Sequence, residues 1–225
     1  MKDQPIIMSA ESVRAILEGR KTQERRMVSN LDNFGLELTS VKNVSSNPNI
    51  APLFEFSAES ITNEQLTDGA MTQIDIRSPY QIRQRLWVRE GYCLRDDGTV
   101  YSYRADYPKP NAFWKDGGKD YGLNEDYTWK SPIFMPRWAS RITLEVTNIR
   151  CERVQDITEE DAVSEGITDG GCLTCGCPEP CGCDNPQPDR RDSYTSLWDT
   201  LNAKRGYPWD SNPWVWVIEF KEAKT

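Results

Sequence analysis

Lys21, Thr22 and Glu24 fall within four residues, just after Gly19 and beside Arg20, Arg25 and Arg26. A lysine, a hydroxyl and a carboxylate this close can supply an acid, a base or a nucleophile. Adjacent arginines can hold a phosphate or a carboxylate through paired N–H donors. The same residues also fit a plain reading, because a solvated lysine is favoured at a helix C-terminus.

A second group carries metal chemistry. Cys172, Cys175, Cys177, Cys181 and Cys183 lie in one short stretch, with Gly171, Gly176, Gly182, Pro178 and Pro180 turning the chain around them. In a cytosolic protein, such spacing predicts a thiolate metal site rather than a disulfide framework. Structural zinc closed by four of the five thiolates is the leading reading. An iron–sulfur cluster and an unmetallated reactive loop are the alternatives. Cys93 and Cys151 sit in strand-like segments and read as small core residues.

The composition excludes several mechanisms. The chain has 225 residues and no histidine, so Ser-His-Asp and Cys-His catalysis and His-ligated metals are ruled out. A net charge of -8 argues against non-specific coating of nucleic acid, although it leaves room for a local basic pocket. No apolar run approaches the roughly 20 residues of a membrane helix. The first residues lack the apolar core of a signal peptide, so a cytoplasmic protein with no membrane partner is expected.

These groups need elements to place them. Val13, Ile16 and Leu17 mark one apolar helical face, capped by Ser9 and stopped by Gly19. Residues 85–90, 99–105, 141–149 and 214–220 read as strands, the last of them buried on both faces. Asp97-Gly98 predicts a hairpin turn. Thr158 to Asp161 opens a capped helix that ends at Gly166, and Tyr194, Leu197, Trp198 and Leu201 share a face of another. Residues 132–141 read as a rigid irregular segment between prolines. Trp87, Trp138 and Trp216 are expected in the core, with an edge tryptophan available to stack a base. The prediction is an α+β fold: one domain over 1–225, a small mixed β-barrel with short helices at its ends. It carries a surface hairpin or loop at 30–75, a loop at 106–131 and the Cys-rich insertion at 168–190.

Four motifs in order carry a resemblance: Gly19-Arg20-Lys21-Thr22, Leu86-Trp87-Val88-Arg89-Glu90, Thr158-Glu159-Glu160-Asp161-Ala162 running on to Glu165-Gly166, and Trp216-Val217-Ile218-Glu219-Phe220. Together they resemble the ASCH domain of the PUA-like superfamily of small β-barrels, over roughly residues 4–28, 79–105, 136–168 and 190–222. Met135 to Arg141 and the Cys insertion resemble a bacteriophage and prophage branch. The likeness implies recognition of RNA, a nucleotide or a modified nucleoside in a barrel-side cleft. One bacterial ASCH enzyme family hydrolyses the acetyl amide of 4-acetylcytidine with a lysine, a threonine and a glutamate. Those positions correspond here to Lys21, Glu24 and Glu165, so a glutamate stands where the threonine would be. The Gly-Asp step usual before the Trp-Val-Arg strand is replaced by Arg83-Gln84.

The expected function is nucleic-acid or nucleotide binding, with RNA favoured. The contact set is Arg20, Lys21, Arg25, Arg26, Trp87, Arg89, Glu90, Arg137, Trp138, Ser140 and Arg141, and Arg25, Arg26, Arg137 and Arg141 lead as phosphate contacts. One alternative is an amidohydrolase with Lys21 and Glu165 as an acid/base pair and Thr22 or Glu24 nearby. The other is a phage interaction or assembly protein with a protein partner.

Overall fold

The computed structural model describes residues 2–28, 36–45, 50–60, 72–106, 115–116, 119–120, 129–168 and 190–223. They form a mixed α+β protein, mostly strands with a few short helices. The chain divides into two compact units, Met1–Arg20, Gln84–Glu145 and Glu222–Thr225 in one, Lys21–Arg83 and Val146–Lys221 in the other.

In the first unit, β1 (Gln4–Ile7) pairs in parallel with β6 (Arg85–Arg89). β6 pairs antiparallel with the first residues of β11 (Thr143–Arg153). Helix α1 (Ala10–Leu17) connects β1 to the Lys21 turn. Ser9 caps it by accepting from the Ser12 N–H. It ends in a Schellman turn: Gly19 N–H bonds to Ile16 O, Arg20 N–H bonds to Ala15 O at 2.8 Å, and Gly19 sits at φ 72°. The Asp97-Gly98 turn joins β7 (Tyr92–Leu94) to β8 (Val100–Tyr103), with Gly98 left-handed at φ 81°. A two-residue pair, β9 (Lys115–Asp116) and β10 (Lys119–Asp120), lies in the expected 106–131 loop. Residues 132–139 are two short 3-10 turns whose buried anchors are Met135 and Ala139, packed with Tyr92.

In the second unit, β2 (Gln23–Met27) pairs antiparallel with β12 (Trp214–Glu222), Arg25 opposite Val217, and the rest of β11 flanks β12 on its other edge. β12 is buried from Trp214 to Ile218, as its apolar run predicts. A separate antiparallel sheet contains β3 (Leu36–Asn43), β4 (Leu53–Ser60) and β5 (Thr72–Arg77). The expected surface hairpin at 30–75 is thus three strands with an inner face. Phe54 and Phe56 are buried against Trp216 and Trp214, ring centroids 4.9 and 5.5 Å apart, because alternation puts both on one side of β4. Among its described residues the unit also has two α-helices, α2 (Glu159–Ser164) and α3 (Arg190–Asn202). Val154, Ile157, Ala162, Tyr194 and Trp198 pack on Val215 and Val217. Among the described residues no sheet closes on itself into a barrel.

Candidate functional site: a buried charged cluster on β2 and α2

Residues 21, 23 and 25 alternate inward, and every one of them is polar: Lys21, Gln23 and Arg25 are all buried. Buried polar groups must find partners, and helix α2 supplies them. Thr158 and Asp161 form a reciprocal capping box at its start. Its end is a second Schellman turn, Gly166 N–H to Val163 O at 2.8 Å and Ile167 N–H to Ala162 O at 3.1 Å, with Gly166 at φ 97°. That turn places Glu165 as the C-cap residue, facing β2. The Thr22 N–H bonds to Ser164 O at 2.8 Å, which fixes the start of the strand against the end of the helix.

The result brings Lys21, Glu24 and Glu165 together. Lys21 Nζ lies 2.7 Å from Glu165 Oε2, 2.8 Å from the Glu165 carbonyl oxygen and 3.0 Å from Glu24 Oε2. An ammonium has three protons, so all three are engaged. Arg25 extends the cluster, with distances of 3.0 Å to Glu165 Oε1, 2.6 Å to Glu152 Oε1 and 3.1 Å to Asp161 Oδ2. Gln23 Nε2 donates to the Asp161 carbonyl at 3.0 Å. Arg150 bonds Asp161, Glu152 and Glu219, and the Tyr194 ring lies 5.8 Å from the Arg25 guanidinium. On the outer side, Arg26 pairs with Glu24 Oε1 at 2.9 Å.

The electrostatics divide the two carboxylates. Burial works against the Lys21 ammonium, but the charges of Glu165 and then Glu24 outweigh it and raise its pKa. The direction favours the charged ammonium, the form that the three contacts of its Nζ also engage. Burial also pushes Glu24 up, yet Lys21 and Arg26 pull it below the usual glutamate value. Glu165 lies above that value, because burial and the nearby charge of Glu24 exceed the pull of Lys21 and Arg25. Burial raises Asp161 as well, but Arg25 and Arg150 bring it down overall. Tyr80 carries a phenol raised by burial and lies within the electrostatic reach of Arg26 and Glu24.

The other expected contacts are placed as follows. Thr22 is exposed, in contrast to Lys21 on one side and Gln23 on the other. Arg20 is half-exposed and pairs with Glu18. The Arg25 side chain is 0% exposed and holds three carboxylates, so its guanidinium is turned to the interior, not to solvent. The rest of the set lies in the first unit. Glu90 is buried and accepts two hydrogen bonds from Arg141, at 2.9 and 3.1 Å, rather than pairing with its neighbour Arg89. Arg141 also meets Asp106 at 2.8 Å and lies over the Tyr103 ring at 4.0 Å. Burial raises the Glu90 carboxyl more than Arg141 lowers it. Trp87 is in the core, with Arg89 and Arg137 over its ring at 4.6 and 5.8 Å. The Ser140 hydroxyl lies 2.7 Å from Val88 O and 3.1 Å from Ile142 O. Trp138, expected in the core, is 63% exposed, because a 3-10 turn directs Ala139 inward in its place.

The sequence reading missed Glu152, Asp161, Arg150, Tyr80 and Tyr194. Asp161 was visible as a helix cap, and only the fold shows that its carboxylate also meets two arginines. The five clustered cysteines lie outside the described residues. Among the described residues no group of three or more His, Cys, Asp or Glu is arranged to hold a metal. Cys93 is buried, and burial raises the thiol pKa of both Cys93 and Cys151, which fits inert cysteines. Scans against protein-family models, curated proteins and solved structures return no match.

Proposed function

We propose that the Glu24–Arg26 side of this cluster recognises the polar edge of a nucleobase, in RNA or in a nucleotide or modified nucleoside. The observation that carries the reading is the triple engagement of Lys21. With its protons committed, Lys21 acts as a fixed positive charge that keeps Glu24 ionised. Glu24, 16% exposed, then offers a carboxylate acceptor beside the Arg26 donor, which is 33% exposed. A carboxylate accepts from an exocyclic amino group, and a guanidinium donates to ring nitrogen or carbonyl oxygen. An amino-bearing base such as cytosine presents that pattern. Base-edge readout also suits a chain of net charge -8, which has little to offer a long phosphate backbone. The ASCH resemblance of Lys21 and Glu165 points the same way.

The test is calorimetric titration with cytidine, uridine and a short single-stranded RNA. Cytidine or the RNA is expected to bind, and Glu24→Gln and Arg26→Ala are each expected to weaken binding at least about 10-fold. Equal affinity in both variants refutes the assignment.

A second reading, hydrolysis of an acylated nucleoside such as 4-acetylcytidine, is favoured by one feature. Two carboxylates with pKa values displaced in opposite directions flank one ammonium, a pattern that suits an acid and a base. In this reading Glu165 serves as the proton-transferring group on water. Lys21 contributes charge only, and Glu24 provides no hydroxyl nucleophile. Release of acetate, lost in Glu165→Gln, is the expected outcome; no turnover by the unmodified protein removes it.

A further inference from the structure

The first unit holds a pair of cations that the nucleobase reading does not use. Trp87 and Arg89 are two positions apart on β6, so alternation sets both on one face of the strand. Leu86 and Val88 take the other face and are buried. Thr143 of β11 lies opposite Trp87, and Arg137 Nη2 donates to its hydroxyl oxygen at 3.1 Å. Arg89 Nη1 donates to Ile133 O at 3.1 Å. These bonds hold both guanidiniums over one indole ring, 4.6 Å (Arg89) and 5.8 Å (Arg137) from its centre. An indole face attracts a cation, but two cations gathered at one ring repel each other.

A shortage of negative charge sets this pair apart. Arg25, Arg150 and Arg141 each meet two or more carboxylates. Among the described residues Arg89 meets none, and its Nη2 is engaged by no other group. Its Nε is buried without a hydrogen-bond partner. Part of the guanidinium has thus lost its water without gaining a counter-charge, which strengthens its pull on an anion at the remaining donors. Arg137 has one carboxylate nearby, Asp3 at 3.5 Å, longer than the usual N–H···O bond, and its side chain is 45% exposed. A phosphate group presents three terminal oxygens and up to two charges, so it can accept from two guanidiniums at once. A carboxylate has two oxygens, which one guanidinium fork already fills.

We infer that Arg89 and Arg137, held over Trp87, bind a phosphate group, either the free ion or the end of a phosphate monoester. A phosphorus-31 NMR titration of the full chain with inorganic phosphate, at low ionic strength to limit screening, is expected to show saturable binding. Two charge-assisted contacts place its dissociation constant on the order of 1 mM. Arg89→Gln and Arg137→Gln should each weaken it at least about 10-fold, the loss of one hydrogen bond to a charged group. Arg137 is the more exposed of the two, so Arg137→Gln should melt like the parent protein, and its effect reads binding rather than folding. A parent protein without saturable phosphate binding overturns the inference, as does an Arg137→Gln variant that binds as tightly as the parent. Acetate that displaces phosphate at equal concentration overturns the choice of phosphate over carboxylate. Methyl phosphate binding like inorganic phosphate assigns the site to monoesters, whereas binding of inorganic phosphate alone assigns it to the free ion. Neither probe carries a base, so the result is independent of the Glu24–Arg26 reading.

Discussion

Replacing Lys21 by methionine tests the electrostatic core of the site. Methionine keeps much of the volume, so the cavity penalty is small, while the charge and three hydrogen bonds are lost. Two carboxylates lose their shared cation. Each keeps another, Glu165 with Arg25 at 3.0 Å and Glu24 with Arg26 at 2.9 Å, so neither is stranded. Breaking a buried pair costs about 3–5 kcal/mol, and the surviving partners put Lys21→Met near the lower end, at about 3 kcal/mol. For a chain of this length that lowers Tm by about 6–12 °C. The eight tryptophans provide the signal for a urea titration at pH 7. The sign of the pH dependence follows from the same charges. Without the ammonium, Glu165, already above the ordinary glutamate value, loses a charge that lowers it, and Glu24 loses the largest of the charges that hold it down, so both shift upward. They then take up protons more readily when folded, and the deficit shrinks as pH falls through that raised range. In the parent protein Lys21 itself sits above its ordinary value, so its contribution persists below pH 10.5 and is lost only as pH rises through the folded pKa. A loss below about 1 kcal/mol at pH 7, or a loss that does not change toward acid pH, would falsify the account of Lys21 as the fixed charge of the cluster.

Two further outcomes are expected. Arg83 has φ 65°, the left-handed region, and its N–H bonds to Val146 O at 2.8 Å. That conformation costs a non-glycine residue about 1–2 kcal/mol, while glycine gives back about 0.4–1 kcal/mol through unfolded-state freedom. Arg83→Gly should therefore stabilise by up to about 1.5 kcal/mol, and a measured destabilisation rejects the strain argument. For Cys172, Cys175, Cys177, Cys181 and Cys183 we propose structural zinc, so elemental analysis of freshly purified protein should find one zinc per chain. Chelation should lower Tm, with the junction of α2 and α3, where Glu159 accepts from the Arg190 and Arg191 N–H groups at 3.0 and 3.2 Å, losing hydrogen-exchange protection early. Metal-free protein with an unchanged melt rejects it.

Local signals were readable in the chain because they depend on neighbours in sequence. The glycines at 19, 98 and 166 announce left-handed turns, and all three adopt them. Thr158 and Asp161 announce a capping box, and the apolar run at 214–218 announces a buried strand. The α+β class follows from those pieces. From the sequence, Lys21 and Glu165 pair through resemblance alone, since spacing carries no information across 144 positions. What the tertiary structure decided is the meaning of each charge. Arg25 reads like its neighbour Arg26, yet alternation about β2 turns Arg25 inward onto three carboxylates and leaves Arg26 half-exposed. Phe54 and Phe56 look like residues of a surface hairpin until Trp214 and Trp216 cover them. Trp138 looks like core until a 3-10 turn spends its inward position on Ala139. The physical reason is common to all three. Sequence determines which groups can turn and pair locally, whereas burial is set by segments far apart in the chain, and burial decides whether a charge or a ring serves the interior or the surface.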